Sequence, residues 1–394
     1  MLPGVGLLQA VVLTLAAHPM PNALVHIRVS GDALRMEINI PVSDLRSALG
    51  ADSILLADFQ AGSAASQGDT AAVAGLRAYF AAHCLVKTTD GRPWKMSFSD
   101  MRMEEISRAL IGRYAEWQML CTALPPPGAD ARSFLFYYDA VLHQVVTHQA
   151  VVSIAQDWAG GLCEGAKQVA VVQVESETGR VYPVAVDLGT GSIRKGFTAM
   201  LRLGMRHIAE GTDHLLFLLL LVLVSPLAVV DRRWGGFAGW HSGLWKLFAI
   251  VTAFTAGHSL TLALCSLRWV AFSGPWVEVA IAVSILLSAI HALWPLFWGR
   301  EPWIAAFFGL IHGMAFSDVL VRLSLDHAQL IWSLAGFNLG IEAIQLTLVA
   351  VVAPFLFVLA GTRFYPPVRL AVGAIGVVAA LYWIWTNLNF AVKT

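Results

Sequence analysis

The run from His207 to Val224, HIAEGTDHLLFLLLLVLV, places ionisable side chains directly before a stretch of leucines that is long enough to enter a bilayer. These side chains are His207, Glu210, Asp213 and His214. Ionisable groups in hydrocarbon are costly, so they pair with one another, line a watery cavity or bind a ligand. Imidazole and carboxylate groups ligate borderline divalent metal ions. The run therefore predicts a metal site at the entrance of a membrane span.

Other apolar segments carry polar residues at a similar predicted depth. We interpret them as contributions to one site, and the alternative is two unrelated hydrogen-bonded pairs. The predicted metal ligands are His207, Asp213, His214, His258, His312 and Glu342. The predicted supporting polar residues are Ser317, Asp318, Asn338 and Gln345. His291, on another apolar segment, is predicted to be a structural hydrogen-bonding residue instead.

The two histidines of the first segment can share an ion only if the helix breaks between them. On one continuous helix they would lie about 10.5 Å apart along the axis, whereas ligand atoms lie about 2 Å from a metal ion. Gly211 followed by Thr212 offers the break, with Gly211 ending one helix and Thr212 capping the next. Asp213 would then lie in the first turn and orient the His214 ring.

Glycines flank these polar residues and predict close contacts between helices. They are Gly257, Gly309, Gly313, Gly336 and Gly340. Small residues allow membrane helices to approach closely, which would bring short side chains such as His and Asp within reach of one ion.

The composition identifies the class of protein that must position these residues. The 394-residue chain is 57% hydrophobic and 13% charged, with mean hydropathy +0.66, whereas soluble proteins carry about 25% charged residues. Charge is concentrated before residue 195 and long apolar runs follow it, which predicts an extramembrane domain and a membrane domain. The net charge is zero, and nothing in the sequence indicates a nucleic-acid partner.

The membrane domain, residues 212–394, is predicted to be an all-α bundle of about six or seven transmembrane helices. The candidate spans are 212–230, 246–267, 276–298, 302–322, 328–360 and 367–389. The fifth is long enough to contain a break near Gly336 to Gly340. Residues 191–211 are predicted to form an amphipathic surface helix and linker before the bundle.

The N-terminal half is predicted to be exported and mainly β. Residues 1–17 resemble a signal peptide, with an uncleaved anchor as the alternative. Residues 18–190 contain many short alternating runs, which predict an antiparallel, sandwich-like β domain with a hairpin at ALVHIRVS and LRMEINIPV. A helical insert is expected around residues 42–82. Cys84 and Cys121 are the preferred disulfide pair, which leaves Cys163 unpaired, although sequence alone does not decide the pairing.

Loop charges predict the orientation. If the β domain is exported, the cytoplasmic loops hold six Lys or Arg residues and the opposite side holds three. Positive residues favour the cytoplasmic side, so the N-terminal domain and the C-terminus are both expected outside the cytoplasm.

These motifs resemble the HupE/UreJ family of bacterial membrane proteins, specifically the branch with an exported N-terminal domain. HIAEGTDH fits that family's H-x5-D-H pattern, and GHSLTL, GLIHG and FNLGIEAIQ are similar to further blocks of the branch. The resemblance covers about residues 195–390. It implies a polytopic protein of the bacterial cytoplasmic (inner) membrane that is associated with nickel or cobalt uptake.

Three functions fit this pattern. The first is a metal-ion permease for a divalent ion such as nickel, cobalt or zinc, with a site open to the outer face. The second is an intramembrane zinc hydrolase, in which Asp213, Ser259 and Glu342 would be catalytic residues. The third is an assembly factor whose exported domain binds a protein partner. Polar groups that continue to the cytoplasmic face would favour transport.

Overall fold

The computed structural model describes residues 22–31, 33–50, 71–108, 112–270, 274–323 and 325–391. The chain separates into two compact units. One comprises most of the chain up to Asp187, and the other takes in Ala155–Gly165 and the chain from Leu188 onward. The signal peptide predicted at residues 1–17 lies outside the described residues.

The N-terminal unit is a mixed-sheet domain. Its strands are β1 (Ala23–Ser30), β2 (Ala33–Pro41), β3 (Cys84–Lys87), β4 (Lys95–Arg108), β5 (Gly112–Leu124), β6 (Ser133–Tyr138), β7 (Ala150–Asp157), β8 (Lys167–Val172) and β9 (Val184–Asp187). One sheet has the order β4-β5-β2-β1-β7-β8 and the other the order β3-β6-β9. The predicted insert contains helices α1 (Val42–Leu49) and α2 (Ala71–His83).

Strand periodicity explains how this unit forms its core. In β1 the side chains of Ala23, Val25, Ile27 and Val29 are buried and alternate with partly exposed ones, as a strand with one covered face requires. The expected neighbours β1 and β2 are adjacent in the sheet. The sequence around ETG connects β8 to β9, and these strands belong to different sheets.

The two cysteines predicted to form a disulfide lie on strands of different sheets. Cys84 on β3 and Cys121 on β5 are both buried free thiols. A hydrogen bond with Cys121, together with burial, raises the pKa of the Cys84 thiol well above its ordinary value. The two sulfurs are therefore neighbours, and the disulfide between them stays a prediction.

The C-terminal unit is helical, with one short hairpin. Its elements are α3 (Ile193–Glu210), α4 (Thr212–Val224), β10 (Leu227–Val230), β11 (Arg233–Phe237), α5 (Trp240–Ser266), α6 (Pro275–Leu293), α7 (Glu301–Ala315), α8 (Ser317–Arg322), α9 (His327–Ala360) and α10 (Tyr365–Ala391).

The expected six or seven spans are not confirmed. Within the described chain four helices are long and apolar enough to cross a membrane, namely α5, α6, α9 and α10, and the bent pair α3–α4 would make a fifth. The difference comes from helix length. Helix α4 has 13 residues and α7 has 15, whereas a span needs about 20. The segment expected at 302–322 is divided at Phe316, between α7 and α8.

The break expected near Gly336 to Gly340 is wrong, because α9 is one continuous helix of 34 residues. These glycines serve helix contact. A methyl group at Gly340 would lie 2.1 Å from the Leu201 carbonyl oxygen of α3, which is closer than a side-chain carbon can approach. Helix α3 buries its apolar face, including Met200, Leu203 and Ile208.

Glycines also bring α5 and α7 together, as the sequence predicts. A methyl group at Gly257 would lie 2.0 Å from the Ala306 carbonyl oxygen, and one at Gly309 would lie 2.1 Å from the Phe254 carbonyl oxygen. Backbone-to-backbone contact of this kind is typical of membrane helix pairs. It places the histidines of these two helices close to one another.

A buried ion pair joins the same two helices. Lys246 Nζ on α5 lies 2.6 Å from Glu301 Oε1 on α7, and both side chains are mostly buried. Replacing Lys246 with Met leaves a buried carboxylate without its cation, so we expect unfolding to become easier by about 3–5 kcal/mol. Thermal unfolding in detergent measures this loss.

Adding Glu301→Gln to Lys246→Met should recover most of the stability, because no unpaired charge then remains. Lys195→Met changes an exposed lysine and serves as the control. Equal stability of the single and double variants would show that the pair is not a structural contact.

Candidate metal site

The break predicted in the first segment is confirmed. Helix α3 ends at Glu210, Gly211 has φ −75° and ψ 96°, and α4 begins at Thr212. The two helices meet at a bend of 72°. Gly211 itself occupies the cap position that we expected for Thr212. The bend turns the end of α3 back toward α4, so the ring centroids of His207 and His214 are 4.7 Å apart.

Two groups of potential ligands form around His214. The ligand atoms of His207, His214 and His258 lie within 4.8 Å of one another, and so do those of Asp213, His214 and His312. His214 therefore belongs to both groups. These residues come from α3, α4, α5 and α7, so four helices supply the ligands.

The histidines are buried and retain unused nitrogens. His258 and His312 have no solvent exposure, and His214 is 5% exposed. Among the described residues, the buried imidazole nitrogens without a hydrogen-bond partner are His207 Nε2, His214 Nε2, His258 Nδ1 and Nε2, His291 Nε2, His312 Nδ1 and His148 Nε2. Burying polar atoms without partners is costly. The concentration of such imidazole nitrogens around His214 fits a bound cation.

Neighbouring groups orient two of the rings. The Asp213 carboxylate lies 3.1 Å from His214 Nδ1, so it accepts the Nδ1 proton and leaves the His214 Nε2 lone pair available. The Ser284 hydroxyl donates its one proton to the Ile281 carbonyl. It must therefore accept from His312 Nε2, 3.0 Å away. His312 consequently presents the lone pair of Nδ1.

Polar residues of α8 and α9 were also predicted to belong to the site. Glu342 is partly buried on α9 and belongs to neither group. Gln345 accepts a hydrogen bond from Thr255 at 3.0 Å, and Asn338 Oδ1 is buried without a hydrogen-bond partner among the described residues. The side chains of Ser317 and Asp318 lie outside those that the structure describes.

Ser259 and His291, for which the sequence predicted catalytic and structural roles, each form a hydrogen bond. Ser259 donates to the Thr255 carbonyl at 2.7 Å, which satisfies its hydroxyl within its own helix. His291 accepts from the Phe297 backbone N–H at 3.2 Å, in agreement with the structural role expected for it.

A cavity beside Asp213 is lined in part by Glu278, an acidic residue that we did not predict from the sequence. It has a volume of about 230 Å³, and its polar lining comprises Thr212, Asp213, Glu278 and Asn387. Glu278 is the only acidic residue of the apolar segment 276–298. An ionisable residue inside such a segment is the signal that could have identified it. Ser284, the partner of His312, was missed because serine is common in membrane helices.

Aromatic rings pack against one another and against the ring of His312. The Phe217 ring lies 5.0 Å from Phe254 and 5.9 Å from Phe308, measured between centroids. The Phe254 ring in turn lies 5.3 Å from the ring of His312. In this conformation the phenylalanines form an apolar layer next to the histidines.

A family model matches the part of the chain that contains this site. No curated protein and no solved structure matched the chain. A family model described as HupE / UreJ protein matches residues 186–387, a range that includes every ligand described above. That family is associated with transport or uptake of nickel and cobalt. The chain is thus a membrane protein that belongs to the HupE/UreJ family.

Proposed function

We propose that the protein is a permease for a divalent metal ion of the nickel or cobalt type in the bacterial cytoplasmic membrane. The observation that carries the proposal is the set of buried, unpaired imidazole nitrogens around His214. Neutral imidazoles with an adjacent carboxylate bind borderline divalent ions. Such a ligand set also suits zinc, and the family association supports nickel or cobalt.

The acidic cavity supplies a route of entry in this proposal. Asp213 lines the cavity and also belongs to one ligand group. Carboxylates in a cleft raise the local concentration of cations. An ion would enter beside Glu278, reach Asp213 and transfer to His214, exchanging water for protein ligands at each step.

The aromatic layer supplies the closed side of a transport cycle. The rings of Phe217, Phe254 and Phe308 pack together next to the histidines, and in the proposed cycle they separate to let an ion pass. A permease needs such a barrier, because a site open to both sides would dissipate the ion gradient. We propose that the cavity opens to the outer face and that the N-terminal domain and C-terminus lie on that side, as the loop charges suggest.

A hydrolase using the same residues is the second candidate. Three histidines and one water form a catalytic zinc site, and His207, His214 and His258 are close enough to provide it. Asp213 would be the general base. The hydrogen bond from Ser259 to its own helix and the position of Glu342 outside the ligand groups give this candidate fewer catalytic groups than the sequence suggested.

Uptake into proteoliposomes tests the permease directly. Vesicles containing a trapped metal-sensitive dye should respond to external Ni²⁺ or Co²⁺ when they hold the native protein. Asp213→Ala should slow the response by about tenfold or more, because the variant loses the group that orients His214, and loss of such a group costs about 10–100-fold in affinity.

Glu210→Ala is the matched control, since Glu210 is an exposed acid of the same segment. Metal binding without ion entry would overturn the permease and favour the hydrolase. Absence of bound metal in the native protein would leave the assembly factor as the remaining function.

A further inference from the structure

We propose that the exposed face of α3 binds the phosphate groups of anionic phospholipids. This face is formed by Arg194, Lys195 and Arg202, which are all exposed, and we call it the basic face of α3. It contains no potential metal ligand, so the proposal is independent of the metal site and of the proposed transport function.

Helical spacing puts the three cations on one side of α3. At 3.6 residues per turn, Arg194, Lys195 and Arg202 lie within about 100° of the helix circumference and extend over about 12 Å of its length. The buried residues of α3, among them Met200 and Gly204, lie on the opposite side. The helix therefore presents a continuous cationic surface rather than scattered charges.

The charge of the basic face is not neutralised by neighbouring carboxylates. Arg206, further along the same side of α3, pairs with Glu164 at 2.9 Å, whereas no ion pair joins a cation of the basic face to a carboxylate among the residues that the structure describes. Lys195 Nζ donates to the Thr190 carbonyl oxygen at 2.8 Å, which leaves its positive charge in place. Arginine binds phosphate through two parallel hydrogen bonds and lysine binds it as a point charge, so the basic face is suited to phosphate oxygens.

Protein already covers the apolar face of α3. A methyl group at Gly196 would lie 2.3 Å from Trp158 Cε2, and one at Gly204 would lie 2.1 Å from the Phe337 carbonyl oxygen of α9. Surface helices commonly bind membranes by burying an apolar face at the boundary of the lipid chains. Because these contacts occupy the apolar face of α3, its remaining contact with lipid is through charge and depends on the headgroup.

Exposed tryptophans near both ends of α3 support a position among the headgroups. Trp332, near the start of α9, is 45% exposed, and its ring lies 6.1 Å from the Phe197 ring of α3. Beyond the other end of α3, Thr212 lines the cavity together with residues two positions from exposed Trp276 on α6 and exposed Trp385 on α10. Tryptophan in membrane proteins is enriched at the level of the headgroups. The basic face is therefore close to the layer that contains lipid phosphates.

Titration of the full-length protein in detergent with a fluorescent phosphatidylglycerol tests the basic face. Phosphatidylcholine with the same chains and dye is the reference lipid, because it has no net charge. Each basic residue near an anionic lipid surface contributes about fivefold in affinity, so Arg194→Gln combined with Arg202→Gln should weaken binding of phosphatidylglycerol by about tenfold or more. The native protein should prefer phosphatidylglycerol, and the preference should disappear at about 1 M salt, where the Debye length is about 3 Å.

Arg46→Gln combined with Arg113→Gln is the matched control, because it removes the same charge from two exposed arginines of the N-terminal unit. Arg194→Lys combined with Arg202→Lys retains the charge and should keep most of the preference. Thermal unfolding verifies that each variant is folded. Equal affinity of the native protein for the two lipids, or an equal loss of affinity in the control, would overturn the proposal.

Inorganic phosphate distinguishes a lipid site from a site for the free anion. Replacing chloride with phosphate at constant ionic strength should leave lipid binding unchanged. Displacement of the lipid would assign the basic face to free phosphate and contradict the proposal. Failure of the permease would instead be seen as absent ion entry with the native protein, and it would not alter the lipid preference.

Discussion

Replacing His214 with Ala should remove nearly all metal from the membrane unit. His214 is shared by the two ligand groups, one with His207 and His258 and the other with Asp213 and His312. Its loss leaves each group with only two ligands. Because loss of an outer-shell partner alone costs about 10–100-fold in affinity, loss of this shared ligand should exceed that range. Mass spectrometry of metal bound to purified protein measures the effect.

The other histidines separate the two groups. His258→Ala should impair only the first group, and His312→Ala only the second, so each should retain more metal than His214→Ala. His241→Ala is the control, because His241 is an exposed histidine on the same helix as His258. Equal metal content in the native protein and in all three site variants would contradict a metal site around His214.

Local chemistry allowed the break at Gly211 to be predicted from sequence. Two histidines seven residues apart cannot reach one ion on a straight helix, and Gly followed by Thr offers the point where it can bend. The spacing and the glycine are both read directly from the chain, and the structure shows helices ending and beginning at that residue.

Rotation of one helix relative to its neighbours could not be predicted in this way. Asn338, Glu342 and Gln345 do share a helical face by spacing, but which neighbour that face meets depends on packing. Gly336 and Gly340 pack against α3, and Gln345 contacts Thr255 of α5. This packing leaves Glu342 outside both ligand groups.

The expected number of spans is not confirmed, because hydropathy does not report where a helix ends. The apolar run after His214 continues to Val230, but α4 ends at Val224 and Leu227–Val230 form strand β10. In the N-terminal unit, alternation predicted individual strands well, whereas their distribution between two sheets depends on contacts distant in sequence.

Replacing Gly309 with Ala should both destabilise the membrane unit and weaken its metal site. The added methyl group would lie 2.1 Å from the Phe254 carbonyl oxygen and 3.0 Å from the His258 backbone nitrogen. Helices α5 and α7 would have to separate, at a cost of about 1–3 kcal/mol or more for an overpacked contact.

That separation moves His258 on α5 away from His312 on α7, one turn beyond Gly309, so metal affinity should fall together with the unfolding temperature. Gly236→Ala is the control, because a methyl group there meets no atom within 4 Å. Thermal unfolding and metal titration of the two variants in one detergent make the comparison.

If Gly309→Ala unfolds and binds metal like the native protein, close contact of α5 and α7 does not position the histidines. If it loses stability but keeps full affinity, the helices separate without disturbing the ligands. Only loss of both properties agrees with a site whose geometry depends on glycine at this contact.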